Sequence, residues 1–352
     1  VSAFRTPDKR RSTARILGAV LLPCVLLLTA CAAGDLTPPA TPGPSASGSG
    51  YTAPAATEPA PLRGTSVPVG SLPHPSLAVK IDNHAAARPQ YGLERTDLVY
   101  EELVEGGLTR YVAVWHSDIP DVVGPVRSIR PMDPDIIGPL GGIVAYSGGQ
   151  QKFMDLMNAT SVFNAAFDSD ETGLFSRTDE REAPHDVVLQ AKALVALHDD
   201  VPAPAQQFAY AATVPESSAG VDGTPVTTIA SRFSDSNWPD WAFDATSLSY
   251  LRSQEGVPDL DAGGVQLRAT NVLVLRVAID ETYVNVPKTT MIGSGEAWAS
   301  TGGRTLHALW SKAGRDAPIR LTDDSGVTVR LAAGNTWIEL VPADRGSVTL
   351  VP

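Results

Sequence analysis

Hydrophobic and polar positions alternate most regularly over residues 97 to 131, DLVYEELVEGGLTRYVAVWHSDIPDVVGPVRSIRP. Leu98, Val99, Tyr100, Leu103 and Val104 form one run of strand-forming residues; Tyr111, Val112, Val114 and Trp115 form a second. Gly106-Gly107 lies between them and suits the positive φ of a two-residue type I′ turn, so the pattern predicts a β-hairpin. With that turn, Leu103 faces Arg110 and Asp97 faces His116. One face then carries Asp97, Glu101, Glu105, Arg110 and His116, with Arg110 diagonally between the two glutamates. A slip of one residue would dissolve that face.

The same patterning extends in both directions. Ser76 to Ile81 reads as a strand that ends in Asp82-Asn83-His84, with Arg88-Pro89-Gln90 following. Polar groups past a strand end suit either a site or a simple turn. Asp133 to Leu140 predicts a short helix and Gly142 to Tyr146 a strand. Ser147-Gly148-Gly149 then leads into a helix over 150–158 with Phe153, Leu156 and Met157 inward. Val187 to His198 reads as an amphipathic helix. His185 at its start is a base, a ligand, or a bond to the helix N-terminus. Residues 201–225, rich in Pro, Ala, Ser and Gly, read as a linker. Beyond it, short apolar runs at 226–230, 272–277, 319–322, 327–331 and 337–341 predict strands. The expected fold is an α/β domain over 76–200, a mixed sheet with flanking helices, followed by a β-rich domain over 226–352. Trp238, Trp241, Trp298, Trp310 and Trp337 lie in the second domain, where core packing competes with sugar binding as their use.

The N-terminus breaks this pattern. Lys9, Arg10, Arg11 and Arg15 precede an apolar run from Ile16 to Ala30, and Leu28-Thr29-Ala30-Cys31 follows its course to the end. The run is short for a membrane span, which needs about 20 residues. Residues 1–31 resemble a bacterial lipoprotein signal, in which Cys31 would take acyl chains of the palmitate kind and become the new N-terminus. Val1 is expected to reflect a non-standard start codon, and the choice between general and twin-arginine export stays open. Residues 32–75 hold ten prolines between Gly34 and Pro75 and read as a disordered tether. The expected address is the extracytoplasmic face of the cell membrane, reached through the lipid.

Charge narrows the partners. The chain is acidic, with a formal net charge of −12. It becomes more acidic once a signal carrying Arg5, Lys9, Arg10, Arg11 and Arg15 is removed. Nucleic acid is therefore disfavoured. The two cysteines, Cys24 and Cys31, both belong to the signal, which excludes thiol redox chemistry and zinc–thiolate sites from the folded part.

Against that acidity, GPVRSIRP stands out. Arg127 and Arg130 flank Ser128 between Gly124-Pro125 and Pro131, and with Arg110 they offer rigid donor forks suited to phosphate or carboxylate. Internal salt bridges are the competing use. Asp97, Glu101 and Glu105 are spaced by four residues, about 13 Å along a strand, too far for a glycosidase-type carboxylate pair at about 5–9.5 Å. The loop at 147–149 is no P-loop, since the Lys-Ser/Thr ending is absent. The candidate ligand-binding residues are Asp82, Asn83, Arg88, Gln90, Asp97, Glu101, Glu105, Arg110, Arg127, Ser128, Arg130 and His185. If the protein is an enzyme, a divalent metal held by Asp82, Asp97 or Glu101 would offset phosphate charge.

AVKIDNHAAARPQYGLERTDLVYEELVEGGLTRYVAVW, VGPVRSIRP, AYSGGQQ, RSQEG, NVLVL and GNTWIELVP together resemble the YerB-like bacterial lipoproteins, domain-of-unknown-function family 3048. That resemblance covers about residues 76–352 and implies an N-terminal and a C-terminal domain without an assigned function. The order of RTDLVYEELVEGGLTRYVAV, an arginine motif and AYSGGQQKFMDLM is also similar to the LytR-CpsA-Psr phosphotransferases. This second resemblance implies roles for Asp97 and for Arg127 or Arg130 with a metal. The chain departs from it by carrying Arg127-Ser128-Ile129-Arg130 where an Arg-Asp pair is expected. Three readings follow: a module binding an anionic envelope ligand, a metal-dependent enzyme acting on that ligand, and a structural partner of a membrane protein.

Overall fold

The computed structural model describes residues 53–352; Cys31 and the segment around it lie outside the described residues. Among the described residues no helix is long and apolar enough to cross a membrane. An antiparallel hairpin pairs Thr57–Pro59 with Ser66–Pro68. This corrects the extent of the tether. Ala60 and Leu62 at the hairpin's bend are buried, and the Tyr210 hydroxyl donates to the Leu62 carbonyl at 2.7 Å.

One mixed sheet then organises the molecule. Its strands in chain order are β1 (Leu77–Asp82), β2 (Leu98–Leu103), β3 (Thr109–Trp115), β4 (Ile143–Tyr146), β5 (Phe163–Ala166), β6 (Thr224–Pro225), β7 (Asn271–Val277), β8 (Gly293–Thr301), β9 (Arg304–Lys312), β10 (Arg320–Asp323) and β11 (Thr336–Pro342). Across the sheet the order is β6-β9-β8-β7-β11-β2-β3-β1-β4-β5, with β10 paired to β9. Strand β11 runs parallel to both β7 and β2, so strands from the two halves of the chain join edge to edge. Strands β1, β2, β3, β4 and β11 are buried along their whole length. The apolar run IVAY reflects burial on both faces, whereas LVYEEL buries two glutamates, one on each face.

Helices are few and short. Helix α1 (Asp133–Ile137) and helix α2 (Gln151–Asn158) cover one face, packing Met132, Ile136, Ile137, Phe153 and Met157 against Ala78, Val112, Val114 and Val144. A second sheet, built from Thr228–Arg232, Pro239–Asp244, Ser249–Gln254 and their neighbours, covers the other face. There Trp241, Tyr250, Ile229 and Phe233 meet Val99, Tyr111, Val272, Val274 and Trp337. The expected helix over 187–198 is a strand followed by a single helical stretch. Val187–Gln190 pairs with Val122–Val123 and Phe175–Arg177, and helix α3 spans only Ala191–Ala196. The β-branched pair Val187-Val188 fits the pleat and outweighs the helical spacing. Residues 201–225, expected as a linker, contain a strand at Ala209–Ala211 and a helical turn at Ser218–Asp222.

The halves also meet through Asp261. Its Oδ2 accepts the backbone N–H of Leu93 at 3.1 Å, and Gln90 accepts from Ala262 N–H. Half-burial, a hydrogen bond to Asp261 and the charge of Asp261 push the neighbouring Glu94 carboxyl up to about 7. Its folded pKa exceeds the unfolded one, so its stabilisation is full below about pH 4.5 and is lost as pH rises through 7. Glu94→Gln keeps a donor toward Asp261 without the charge. It is expected to be the more stable protein at pH 8 by about 1–2 kcal/mol, after discount for solvent screening, and to lose that advantage at pH 5. Urea unfolding of both proteins at the two pH values checks this; parallel curves would remove Glu94 as the titrating group.

Candidate functional site

The hairpin forms one residue out of the expected register. Leu98 pairs with Val114, Glu101 with Tyr111 and Glu102 with Arg110. The turn is the three-residue stretch Glu105–Gly107, closed by Val104 N–H donating to the Leu108 carbonyl at 2.8 Å. The slip sends Glu101 and Arg110 to opposite faces, so the predicted Glu101–Arg110–Glu105 network does not exist. Two separate charged clusters stand in its place.

The first cluster gathers at the ends of β1 and β4, which run parallel. Beyond Val79 these strands part, and the arginine segment fits between them. Arg127 N–H donates to the Lys80 carbonyl at 2.8 Å, Ser147 N–H to the Arg127 carbonyl at 3.0 Å, and Ile129 N–H to the Gly148 carbonyl at 3.0 Å. A Cβ on Gly149 would stand 2.8 Å from Ile129 Cγ2, so the Gly-Gly turn is what lets the segment seat. Crevices past the carboxyl ends of parallel strands are the usual ligand position in open sheets.

Around this crevice the side chains converge. Arg110 pairs in register with Asp82, and its Nη1 donates to the Ser128 carbonyl at 3.0 Å. Arg127 Nε lies 3.3 Å from Asp82 Oδ2. Arg130 Nε donates to Glu105 Oε2 at 2.8 Å. His185 Nδ1 lies 2.6 Å from Asp82 Oδ2, and its ring stacks on His84 at 4.5 Å between centroids. His185 therefore sits in a loop against a carboxylate, where the sequence placed it at a helix start. Burial, and then the charges of Arg130 and Arg127, pull the Arg110 guanidinium down to about 10, and Asp82 and Glu105 only partly offset them. Burial alone would push the Glu105 carboxyl up; the hydrogen bond and charge of Arg130 outweigh it and hold it below its ordinary range.

The second cluster lies on the opposite face and centres on Arg252, which the sequence reading did not single out. Arg252 is completely buried. Its Nη2 donates to Glu101 Oε2 at 2.7 Å and to Gln254 Oε1 at 2.8 Å, and its Nη1 bonds Asp259 Oδ2. Trp337, Tyr111 and Trp241 surround the guanidinium at 5.1, 5.5 and 5.8 Å from their ring centroids. Burial alone would lower its pKa, but Tyr111 and the carboxylates of Glu101, Asp259 and Glu339 hold it well above its ordinary value. Glu339, in register with Glu101 on the adjacent strand, accepts from Trp241 Nε1 at 2.7 Å. Burial and the nearby Glu101 charge push it well up, toward the neutral acid. Strand Ser249–Gln254 alternates in burial, with Tyr250, Arg252 and Gln254 inward. In the sequence SYLRSQ the apolar Tyr250 and Leu251 are adjacent and fall on opposite faces, so hydropathy marked neither face as inward and gave no signal for Arg252.

The remaining predicted residues divide between these places and a third. Asn83 donates to Thr109 Oγ1 at 2.8 Å and belongs with Glu101. Gln90 donates to the Asp82 carbonyl at 3.0 Å, and Arg88 to the Asn83 carbonyl at 3.3 Å beside a shallow cleft lined by Pro89, Val257, Pro258 and Leu260. Asp97 stands apart at the far end of β2, where its Oδ2 accepts the N–H groups of His116 and Ser117 at 2.5 and 2.8 Å. It is a turn cap and does not meet Arg127 or Arg130. Asp82, Asp97 and Glu101 thus do not come together, and among the described residues no three His, Cys, Asp or Glu side chains are grouped to hold a metal ion.

Comparison with known proteins accords with this architecture. Residues 64–202 match the family model described as protein of unknown function (DUF3048) N-terminal domain, and residues 229–338 match the DUF3048 C-terminal domain. The protein named "Putative lipoprotein YerB" in Bacillus subtilis (strain 168) is 26% identical over 300 residues, covering 80% of this chain and 86% of that protein. The crystal structure of Bacillus subtilis YerB superposes with a TM-score of 0.72 at 21% identity over 82% of this chain and 99% of that one, a likeness of fold.

Proposed function

The chain carries both domains of the DUF3048 family and so belongs to a family without an assigned function, and from that premise we propose that it is a binding module for an anionic ligand at Arg110, Arg127 and Arg130. The observation that carries this reading is the unbalanced charge at the crevice. Arg110 is lowered to about 10 by burial and by Arg130 and Arg127 together, which a bound anion would relieve. Among the described residues its guanidinium has one hydrogen-bond partner, the Ser128 carbonyl, and so keeps donors for a ligand. Phosphate or pyrophosphate fits paired arginine forks best. The lipoprotein-like signal at residues 1–31 and the relative's description as a lipoprotein support an extracytoplasmic, membrane-anchored position. The ligand class is then a phosphorylated or pyrophosphate-linked component of the cell envelope.

One observation favours a second reading, transfer or hydrolysis at the same anion. The Asp82–His185 pair beside Arg127 has the geometry of an oriented imidazole base. In that reading a divalent metal would arrive with the phosphate. The third reading, a structural partner of a membrane protein, is supported by the Arg130–Glu105 and Arg127–Asp82 ion pairs, which satisfy two of the three arginines internally.

Thermal unfolding of residues 54–352 with pyrophosphate, isoprenyl pyrophosphates and sugar phosphates, with and without Mg²⁺, tests these. A ligand at 100 times its Kd stabilises by about 2.7 kcal/mol. That shift is expected in the wild type and is expected to vanish in Arg127→Ala, whose side chain is 23% exposed, so that the fold should tolerate its removal. Product formed only with Mg²⁺ and lost in His185→Ala would establish the enzyme. No shift with any compound ends the anion reading.

A further inference from the structure

Lys80 interrupts the apolar strand LAVKID at its centre, and its side chain is completely buried. It pairs in register with Val112 and shares a strand face with Ala78, the face that α1 covers. Two carboxyls meet it there. Its Nζ lies 2.8 Å from Asp133 Oδ1 and bonds Glu102 Oε1, and both acids are as buried as the lysine. Asp133 is fixed at the start of α1, its Oδ2 accepting the backbone N–H of Arg130. Among the described residues Glu102 Oε2 is buried without a hydrogen-bond partner. One amine, one rigidly held acyl carbon and a second carboxyl are thereby sealed from solvent in contact with one another. Arg110 lies alongside Glu102 in register.

We propose that Lys80 and Asp133 condense into an intramolecular isopeptide bond, with Glu102 relaying the proton. In a site closed to water the neutral amine and neutral acids gain over their ions. Held neighbours also reach effective molarities of about 10⁵ M or more, which favours the amide over hydrolysis. Lys80 Nζ attacks Asp133 Cγ, and the N–C bond forms. A proton from Nζ passes through Glu102 to one Cγ oxygen; the bond to that oxygen breaks, and it leaves as water. Glu102 ends with the proton it began with, and no oxidant or cofactor takes part. Burial and the Asp133 charge, against the pull of Lys80, push the Glu102 carboxyl up to about 7, so it holds a transferable proton near neutrality.

The bond would tie the centre of β1 to the start of α1, immediately beyond the arginine segment. It would give the described fold a covalent link that its lack of cysteine otherwise denies. The proposal does not depend on anion binding.

Peptide mapping of the purified full chain by mass spectrometry is the test. The peptide containing Lys80 is expected joined to the one containing Asp133, the pair lighter than the sum of both by one water. Asp133→Asn is expected to form the same link by losing ammonia, and Lys80→Arg to leave both peptides separate. Recovery of the wild-type chain with an unmodified Lys80 peptide would overturn the proposal whatever the variants do. A link from Lys80 to Glu102 would overturn the assignment of Asp133 as the acyl partner.

Discussion

Arg252→Ala is expected to lower the unfolding free energy by about 3–5 kcal/mol, the usual result of leaving buried charges without their partner. The mutation strands Glu101 and Asp259, which lose the cation between them, beside Glu339. Since a domain commonly has about 5–15 kcal/mol in all, the variant stands near the edge of folding. The loss arises from unpaired acids, and it is recoverable. Arg252→Met combined with Glu101→Gln and Asp259→Asn is expected to regain much of it, because the whole buried set is then neutral. Urea unfolding midpoints of the wild type, the single and the triple variant measure this. A single variant within about 1 kcal/mol of wild type would mean that water enters the cluster.

Trp337→Ala is expected to cost about 3–5 kcal/mol through the cavity it opens. Trp337 lies on β11, almost completely buried, edge-on to both Tyr111 at 5.3 Å and Trp241 at 5.1 Å. It also forms the aromatic contact nearest Arg252. The two losses therefore overlap: the double variant Arg252→Ala/Trp337→Ala should fall short of the sum of the singles by about 0.5–3 kcal/mol. Additive losses would show that the guanidinium draws nothing from the ring.

Much of this arrangement was legible from residue types, and the failures have physical causes. The strands 98–103 and 109–115 stand where their apolar runs put them. Their register was misread because both are buried on both faces, so alternation supplied no check on which side is polar. The choice then rested on Gly106-Gly107 alone, and Glu105 joined the turn. The arginine segment was found by composition, since paired arginines are conspicuous in an acidic chain, and Asp82, Glu105, Arg110, Arg127, Ser128, Arg130 and His185 do meet at one crevice. Glu101 and Asp97 were grouped with them by the misread hairpin register, and Asn83 by its place beside Asp82. The strand pleat and the far end of β2 separate them in space. Glu101's true partner is Arg252, fixed by packing between two sheets rather than by local pattern. Lys80 escaped notice because its partners Glu102 and Asp133 lie 22 and 53 residues away and only the folded sheet brings them to it.

The joining of β11 to β2 sets an order of events for the chain. Residues 98–103 emerge early in synthesis and in any passage across a membrane, yet one side of that strand is completed only by Thr336–Pro342. Until then its N–H and C=O groups form an open template for other chains. Contacts of such long sequence separation form slowly. A chain of this design therefore has a vulnerable interval between its synthesis and the closing of its sheet. Factors that hold the unfinished chain, and the mutual repulsion of its acidic chains, would bear most directly on yield during that interval.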